Sequence, residues 1–222
     1  MNCRATYFIG ISLLSFSLGA VTQAQTPHVW ALRAGVNSST FNFPVFDLHN
    51  RIGINLAISH QVIRSQVFSL DVEIEYAQRG YSNEQIETDG SGEPLGTIKA
   101  VTRLDYISIP LLLRISAPLS KTVQPYIFTG PSYDFRINRK NGVWDFSSSS
   151  FEDNLSDQFR KSCFSLTTGI GVEIPSTFAK VIRIEIRHSF SLTDILPSDS
   201  LWEQEVTMKS TGVYLSILNQ AH

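Results

Sequence analysis

Five carboxylates occupy alternating positions that could support proton transfer. They are Asp71, Glu73, Glu75, Glu173 and Glu185. Paired acids of this kind are common in general acid and base catalysis. Four arginines share the same alternation, namely Arg33, Arg114, Arg183 and Arg187. Because buried charges need partners of opposite sign, we expect the nine residues to neutralise one another in an interior charge network rather than to catalyse a reaction.

The sequence gives little support for a metal site, a catalytic nucleophile or a phosphate-binding site. The five histidines are scattered along the chain, so no metal site is predicted, and Cys163 is interpreted as a small wall residue. There is no nucleophile elbow and no phosphate-binding glycine loop. His188, which is near Ser189 and Ser191, is the one trace of a hydrolase. The sequence therefore predicts a protein that is not an enzyme and that binds no cofactor or metal.

The elements that carry these residues are predicted to be strands, because apolar and polar side chains alternate with a period of two. In residues 67–79, for example, Phe68, Leu70 and Val72 oppose Asp71 and Glu73. Eight such runs are predicted, at residues 28–38, 52–62, 67–79, 102–116, 123–138, 161–174, 179–190 and 206–218.

The connections between these strands alternate in length. They contain about 13, 4, 22, 6, 22, 4 and 15 residues, so all short turns fall at one end and all long loops at the other. This rhythm is typical of up-and-down outer-membrane barrels. The longest loops are predicted at residues 80–101 and 139–160, and loops on a rigid scaffold are where binding is expected. The candidate loop contacts are Trp144, Phe146, Phe151 and Trp202.

A period of two leaves open which face points inward. A membrane barrel has an apolar exterior, whereas a soluble ligand-binding barrel has an apolar interior. The polar faces mix opposite charges with Gly, Ala and Ser, which suits a narrow eight-stranded interior. Aromatic residues fall near the strand ends, where interfacial girdles are expected: Trp30, Phe68, Tyr76, Tyr133, Phe135, Phe164 and Phe190. We therefore favour the membrane barrel.

The N-terminus predicts secretion. Arg4 precedes an apolar stretch from Tyr7 to Val21, and Ala24 follows with the small residues of a cleavage site. We interpret residues 1–24 as a signal peptide and residues 25–222 as one barrel domain. The net charge of −2 gives no reason to expect nucleic acid as a partner.

Several segments resemble the PorT-like outer-membrane β-barrel family of Bacteroidetes-type bacteria. Residues 104–114 (LDYISIPLLLR) resemble its LxYxxIPLLL(K/R) element. Residues 33–37 (RAGVN), 71–80 (DVEIEYAQRG) and 125–131 (PYIFTGP) are similar to its GxN, ELxYxQKG and PYxxxGP elements, in the same order. The resemblance implies a non-enzymatic, signal-bearing barrel. Unlike many outer-membrane barrels, this chain ends in residues 219–222 (NQAH) rather than on an aromatic residue.

The sequence thus predicts an all-β protein, an eight-stranded antiparallel up-and-down transmembrane β-barrel in the outer membrane. The expected role is structural, as a scaffold or in surface interactions, with membrane lipid around the barrel and a protein partner at the extracellular loops. The alternative is a soluble periplasmic barrel that binds a small apolar ligand. The sequence specifies no oligomeric state.

Overall fold

A computed structural model describes the parts of the chain that form the barrel. These are residues 29–43, 48–65, 67–117, 122–144, 159–176, 181–195 and 206–220, without the side chains of 85–88, 95, 98, 141–144 and 220. The predicted signal peptide, residues 1–24, lies outside the described residues, and so do Phe146, Phe151 and Trp202.

Eight strands form the predicted closed antiparallel barrel. They are β1 (Val29–Asn42), β2 (His49–Arg64), β3 (Phe68–Thr88), β4 (Pro94–Ser116), β5 (Gln124–Trp144), β6 (Ser162–Pro175), β7 (Val181–Ser191) and β8 (Thr207–Gln220). Each strand pairs with its neighbours in the chain, and β8 pairs with β1 over the whole length of β1. No helix within the described ranges is long and apolar enough to cross a membrane. The predicted fold class is confirmed.

The apolar alternate residues face outward and the charged ones face inward. Leu32, Ile109 and Ile184 are 65%, 48% and 42% exposed, whereas Glu73 and Arg183, from the opposite faces, are 1% and 3% exposed. A soluble carrier of an apolar ligand would require these two faces to be exchanged. The structure therefore excludes that alternative.

Aromatic side chains mark both borders of the apolar outer surface. Trp30 and Phe68 lie at the end of the short turns and are about half exposed. Tyr133, Phe135 and Phe164 lie toward the other end, where Tyr133 contacts Phe164 with ring centroids 5.2 Å apart. Such paired belts are the girdles that anchor a barrel at the two membrane interfaces.

One predicted loop is wrong. Residues 80–101 are mostly strand, because β3 and β4 stay paired as far as Thr88 and Pro94 and turn between Asp89 and Glu93. Similarly, β5 extends to Trp144. The apolar alternation stops where these strands leave the membrane, so the periodicity no longer reveals them, yet the backbone ladder continues.

Candidate functional site: the barrel interior and its outer mouth

The nine charged residues predicted to face inward lie inside the barrel, and the structure joins them in one ion-pair network. Each is at least nine-tenths buried. In order of contact the members are Glu75, Arg33, Glu73, Arg187, Glu185, Arg114, Asp71, Arg183 and Glu173. Consecutive members are separated by 3.3 Å or less. No member lacks an opposite charge.

Arg187 lies near the centre of the network. Its Nη1 and Nη2 atoms donate to the two carboxylate oxygens of Glu73 at 2.8 and 3.0 Å. Its Nε and Nη2 atoms donate to Glu185 Oε2 at 2.8 and 2.5 Å. Arg33 then joins Glu73 to Glu75, which also accepts a hydrogen bond from Asn55. A guanidinium supplies several donors in a fixed plane, which explains why arginine rather than lysine fills these positions.

Arg114 connects the central part to the turn end. It contacts Asp71, Glu185 and Glu173 at 3.0, 3.2 and 3.3 Å. Arg183 binds Glu173 at 2.6 Å and Asp71 at 3.3 Å. Asp71 and Glu173 are thus each shared by two guanidiniums.

Aromatic rings support the arginines inside the barrel. The Arg114 guanidinium lies 4.3 Å from the ring centroid of Tyr126, and that of Arg187 lies 4.9 Å from Phe128. Glycines leave room for these rings, because a Cβ at Gly171 would come within 2.5 Å of the Tyr126 ring, and one at Gly169 within 2.4 Å of Phe128. Small residues on the inner face therefore have a packing reason.

A further buried ion pair was not predicted. Arg79 Nη1 contacts Asp134 at 2.8 Å, and Ser165 donates to the same carboxylate at 2.6 Å. The sequence contains a pattern from which this pair could have been predicted, because Arg79 continues the inward alternation of Glu75 and Ala77. Asp134 likewise alternates with the outward aromatics of β5.

An apolar plug, which was not predicted, lies across the loop end of the interior. Its members come from five strands and from segments beside β1, β6, β7 and β8: Phe41, Phe43, Tyr81, Leu104, Tyr106, Phe159, Cys163, Ile195, Val206 and Met208. Phe41 stacks on Phe159, with centroids 5.3 Å apart. Backbone hydrogen bonds from Arg160 N to Ile195 O and from Ile195 N to Val206 O hold the segments together.

The structure separates His188 from Ser189 and Ser191, the residues that suggested a hydrolase. His188 lies on the lipid-facing side of β7, where its Nδ1 atom is 2.8 Å from Thr211 Oγ1. Ser189 and Ser191 alternate to the other side, and Ser189 pairs with Thr167 instead. Within the described residues, no three His, Cys, Asp or Glu side chains are placed to hold a metal ion. The interior charges are instead paired with one another.

The predicted loop contacts remain predictions. Trp144 is the last residue of β5, and its side chain is not described. Phe146, Phe151 and Trp202 lie outside the described residues.

Comparison with known proteins agrees with this architecture. The sequence profile described as "Outer membrane protein beta-barrel domain" matches residues 23–196. No curated protein is significantly similar. Among solved structures, a major outer membrane protein from Thermus thermophilus is similar (12% identity, 87% of this chain and 100% of that chain, TM-score 0.51).

Two further solved structures align over most of their length. Ail, the attachment invasion locus protein of Yersinia pestis, is 11% identical over 87% of this chain and 100% of its own (TM-score 0.46). The outer membrane enzyme PagL is 10% identical over 84% and 98% (TM-score 0.40). At such low identity the likeness concerns the fold alone. With its profile match over most of the sequence, the chain belongs to the outer membrane protein β-barrel domain family.

Proposed function

We propose that this protein is a closed, non-enzymatic barrel that serves as a scaffold in the outer membrane and presents an extracellular sheet to a protein partner. The observation that carries the proposal is the occupied interior. A continuous ion-pair network fills the middle of the barrel, and the apolar plug lies across its loop end. Eight strands enclose only enough space for side chains, so a diffusion channel is disfavoured.

The extracellular sheet supports the surface role. β3, β4 and β5 continue past the girdle, and Thr88 lies twelve positions beyond Tyr76 along β3. At about 3.3 Å per residue and a tilt of about 40°, this places the hairpin tip roughly 30 Å beyond the girdle. Asp89 fixes the turn, because its Oδ1 accepts hydrogen bonds from the backbone N–H groups of Ser91 and Glu93. An ordered sheet presents a defined surface to a partner.

We also propose a more specific family and a signal peptide for this protein. The segments at residues 71–80, 104–114 and 125–131 support a PorT-like barrel of Bacteroidetes-type bacteria, made with a signal peptide that is cleaved after Ala24. Membership of this family does not assign the protein to a secretion apparatus, since one fold hosts many functions.

Two measurements test the closed barrel. The folded protein should migrate differently on a gel before and after boiling, and it should not conduct ions in a planar lipid bilayer. Replacing Phe41 and Phe159 by Ala should leave the gel shift intact while removing part of the plug. Steady single-channel conductance of the unaltered protein would contradict the proposal.

Site-specific photo-crosslinking in intact cells tests the surface role. A photoreactive residue at Glu84 on the exposed part of β3 should give a protein adduct of discrete mass. The same residue at Ile184, which faces lipid, is the matched control and should give none. If positions along the hairpin give no more adduct than Ile184, the extracellular sheet has no protein partner under those conditions and the surface role is refuted.

A further inference from the structure

Two cations face each other on the outer surface just beyond the girdle, and a third, Arg51, approaches them from β2. Arg103 on β4 lies directly opposite Lys140 on β5 and opposite Gly80 on β3. The Arg103 Nη2 atom donates to the hydroxyl of Tyr76 at 3.0 Å, so its guanidinium is on the lipid-facing side of the wall. Like charges directly opposite each other on neighbouring strands destabilise a sheet unless an anion lies between them.

Arg51 on β2 completes the group. Its Cδ atom passes over Gly80, where an added Cβ would lie 3.1 Å away, and its Nη1 atom donates to the carbonyl oxygen of Arg79 at 3.5 Å. Gly80 has a positive φ of 152°, and a side chain there would also strike the carbonyl oxygen of Thr102. Gly80 itself therefore contributes no side chain between Arg51 and Arg103.

The local charge is not balanced by the described residues. Asp105 is bound by Arg103, with Oδ1 2.7 Å from Nε and Oδ2 3.1 Å from Nη2, and it also accepts a hydrogen bond from Asn138. Arg51 and Lys140 make no ion pair with any carboxylate that the structure describes. One acid therefore accompanies three cations, and two positive charges remain.

The height of the group matches the membrane surface. Ile107 pairs with Tyr76 and Phe135 at the girdle, and Arg103 lies four residues further along β4. At about 3.3 Å per residue and a tilt of about 40°, this places Arg103 roughly 10 Å above Ile107. Lipid headgroups occupy this level, and basic clusters beside a membrane attract anionic lipids.

We propose that Arg51, Arg103 and Lys140 bind the phosphate of a phosphorylated lipid in the outer leaflet. Arginine offers a planar fork of donors that matches phosphate oxygens, and lysine adds a mobile point charge. Asp105 holds Arg103 in place. The three cations lie directly above the lipid-facing residues Tyr76 and Ile107. A lipid can therefore place its phosphate on the cations while its acyl chains lie along the apolar wall. A soluble anion would gain nothing from that wall.

Native mass spectrometry of the detergent-solubilised protein tests this inference independently of the proposed function. The probes are bisphosphorylated lipid A, the same glycolipid without phosphate, and inorganic phosphate. We compare Lys140→Gln and the double variant Arg51→Gln/Lys140→Gln with Lys209→Gln, an exposed lysine on β8. The double variant should bind the phosphorylated lipid at least about tenfold more weakly, which corresponds to about 1.4 kcal/mol. Lys209→Gln should bind it normally.

Three results would overturn the inference. The double variant could bind the phosphorylated lipid as tightly as the unaltered protein, or the dephosphorylated lipid could bind equally well. Inorganic phosphate could also match the affinity of the lipid, which would reassign the site to a soluble anion. Lys140 is exposed and has no described partner, so Lys140→Gln alone provides the measurement if the double variant does not fold.

Discussion

Replacing Arg187 by Met is expected to destabilise the barrel strongly. Arg187 is 3% exposed and donates four hydrogen bonds to Glu73 and Glu185. Methionine fills a similar volume without charge, so the two carboxylates lose a shared partner in a buried site. Breaking a buried ion pair by removing one partner costs about 3–5 kcal/mol. Glu73 keeps Arg33 and Glu185 keeps Arg114, which places the expected loss near the lower end, about 3 kcal/mol.

A second variant tests whether the loss of stability comes from the unpaired charge or from altered packing. Adding Glu73→Gln to Arg187→Met removes one of the stranded carboxylates, so the double variant should be more stable than Arg187→Met alone. Contacting charged residues show coupling energies of about 0.5–3 kcal/mol. Lys209→Met removes an exposed cation and is the matched control, with an expected change within about 0.5 kcal/mol.

The assay is reversible urea unfolding in lipid vesicles, followed by tryptophan fluorescence. The midpoint should fall while the slope stays constant, since the surface exposed on unfolding is unchanged. A loss below about 1 kcal/mol for Arg187→Met would refute the reasoning, because it falls well short of the cost of breaking a buried pair. So would a double variant that is as unstable as the sum of the single changes, because the ion pair would then contribute nothing specific.

Three other changes test the packing and the sidedness of the wall. Gly171→Val should destabilise the barrel by about 1–3 kcal/mol in the same urea assay, because its side chain would strike the Tyr126 ring, whereas Gly96→Ala, where the space is open, should be neutral. Leu215→Lys on the lipid face should cost about 2–4 kcal/mol, and an unchanged midpoint would contradict the assigned outer face. Cys163 lies in the plug and should react with a maleimide only after unfolding; rapid labelling of the folded barrel would mean that the plug is open.

Much of the barrel was predictable from local patterns. A strand places alternate side chains on opposite faces, so the apolar and charged sets of β3 and β7 could be assigned from the order of residues alone. Charge also decided the inner face, because residues such as Glu73 and Arg183 cannot be left in lipid without partners. Connection lengths then indicated the up-and-down order and the turn end.

Local sequence patterns failed to predict the parts of the strands that extend beyond the membrane. Residues 83–88 form strand because they pair with β4, yet water on both sides removes the need for apolar alternation. The plug was missed for a different reason: Phe41, Phe159 and Met208 are ordinary in sequence and meet only when the loop ends of distant strands close over the mouth.

The sequence by itself determined which residues are charged and which side of the wall they face, because both follow from residue type and the two-residue repeat of a strand. Only the tertiary structure decided which charges meet. Arg187 binds Glu73 across 114 residues of chain, and Arg114 binds Glu185 across 71. Such partners depend on the register and closure of all eight strands, a property of the whole barrel that no single strand carries.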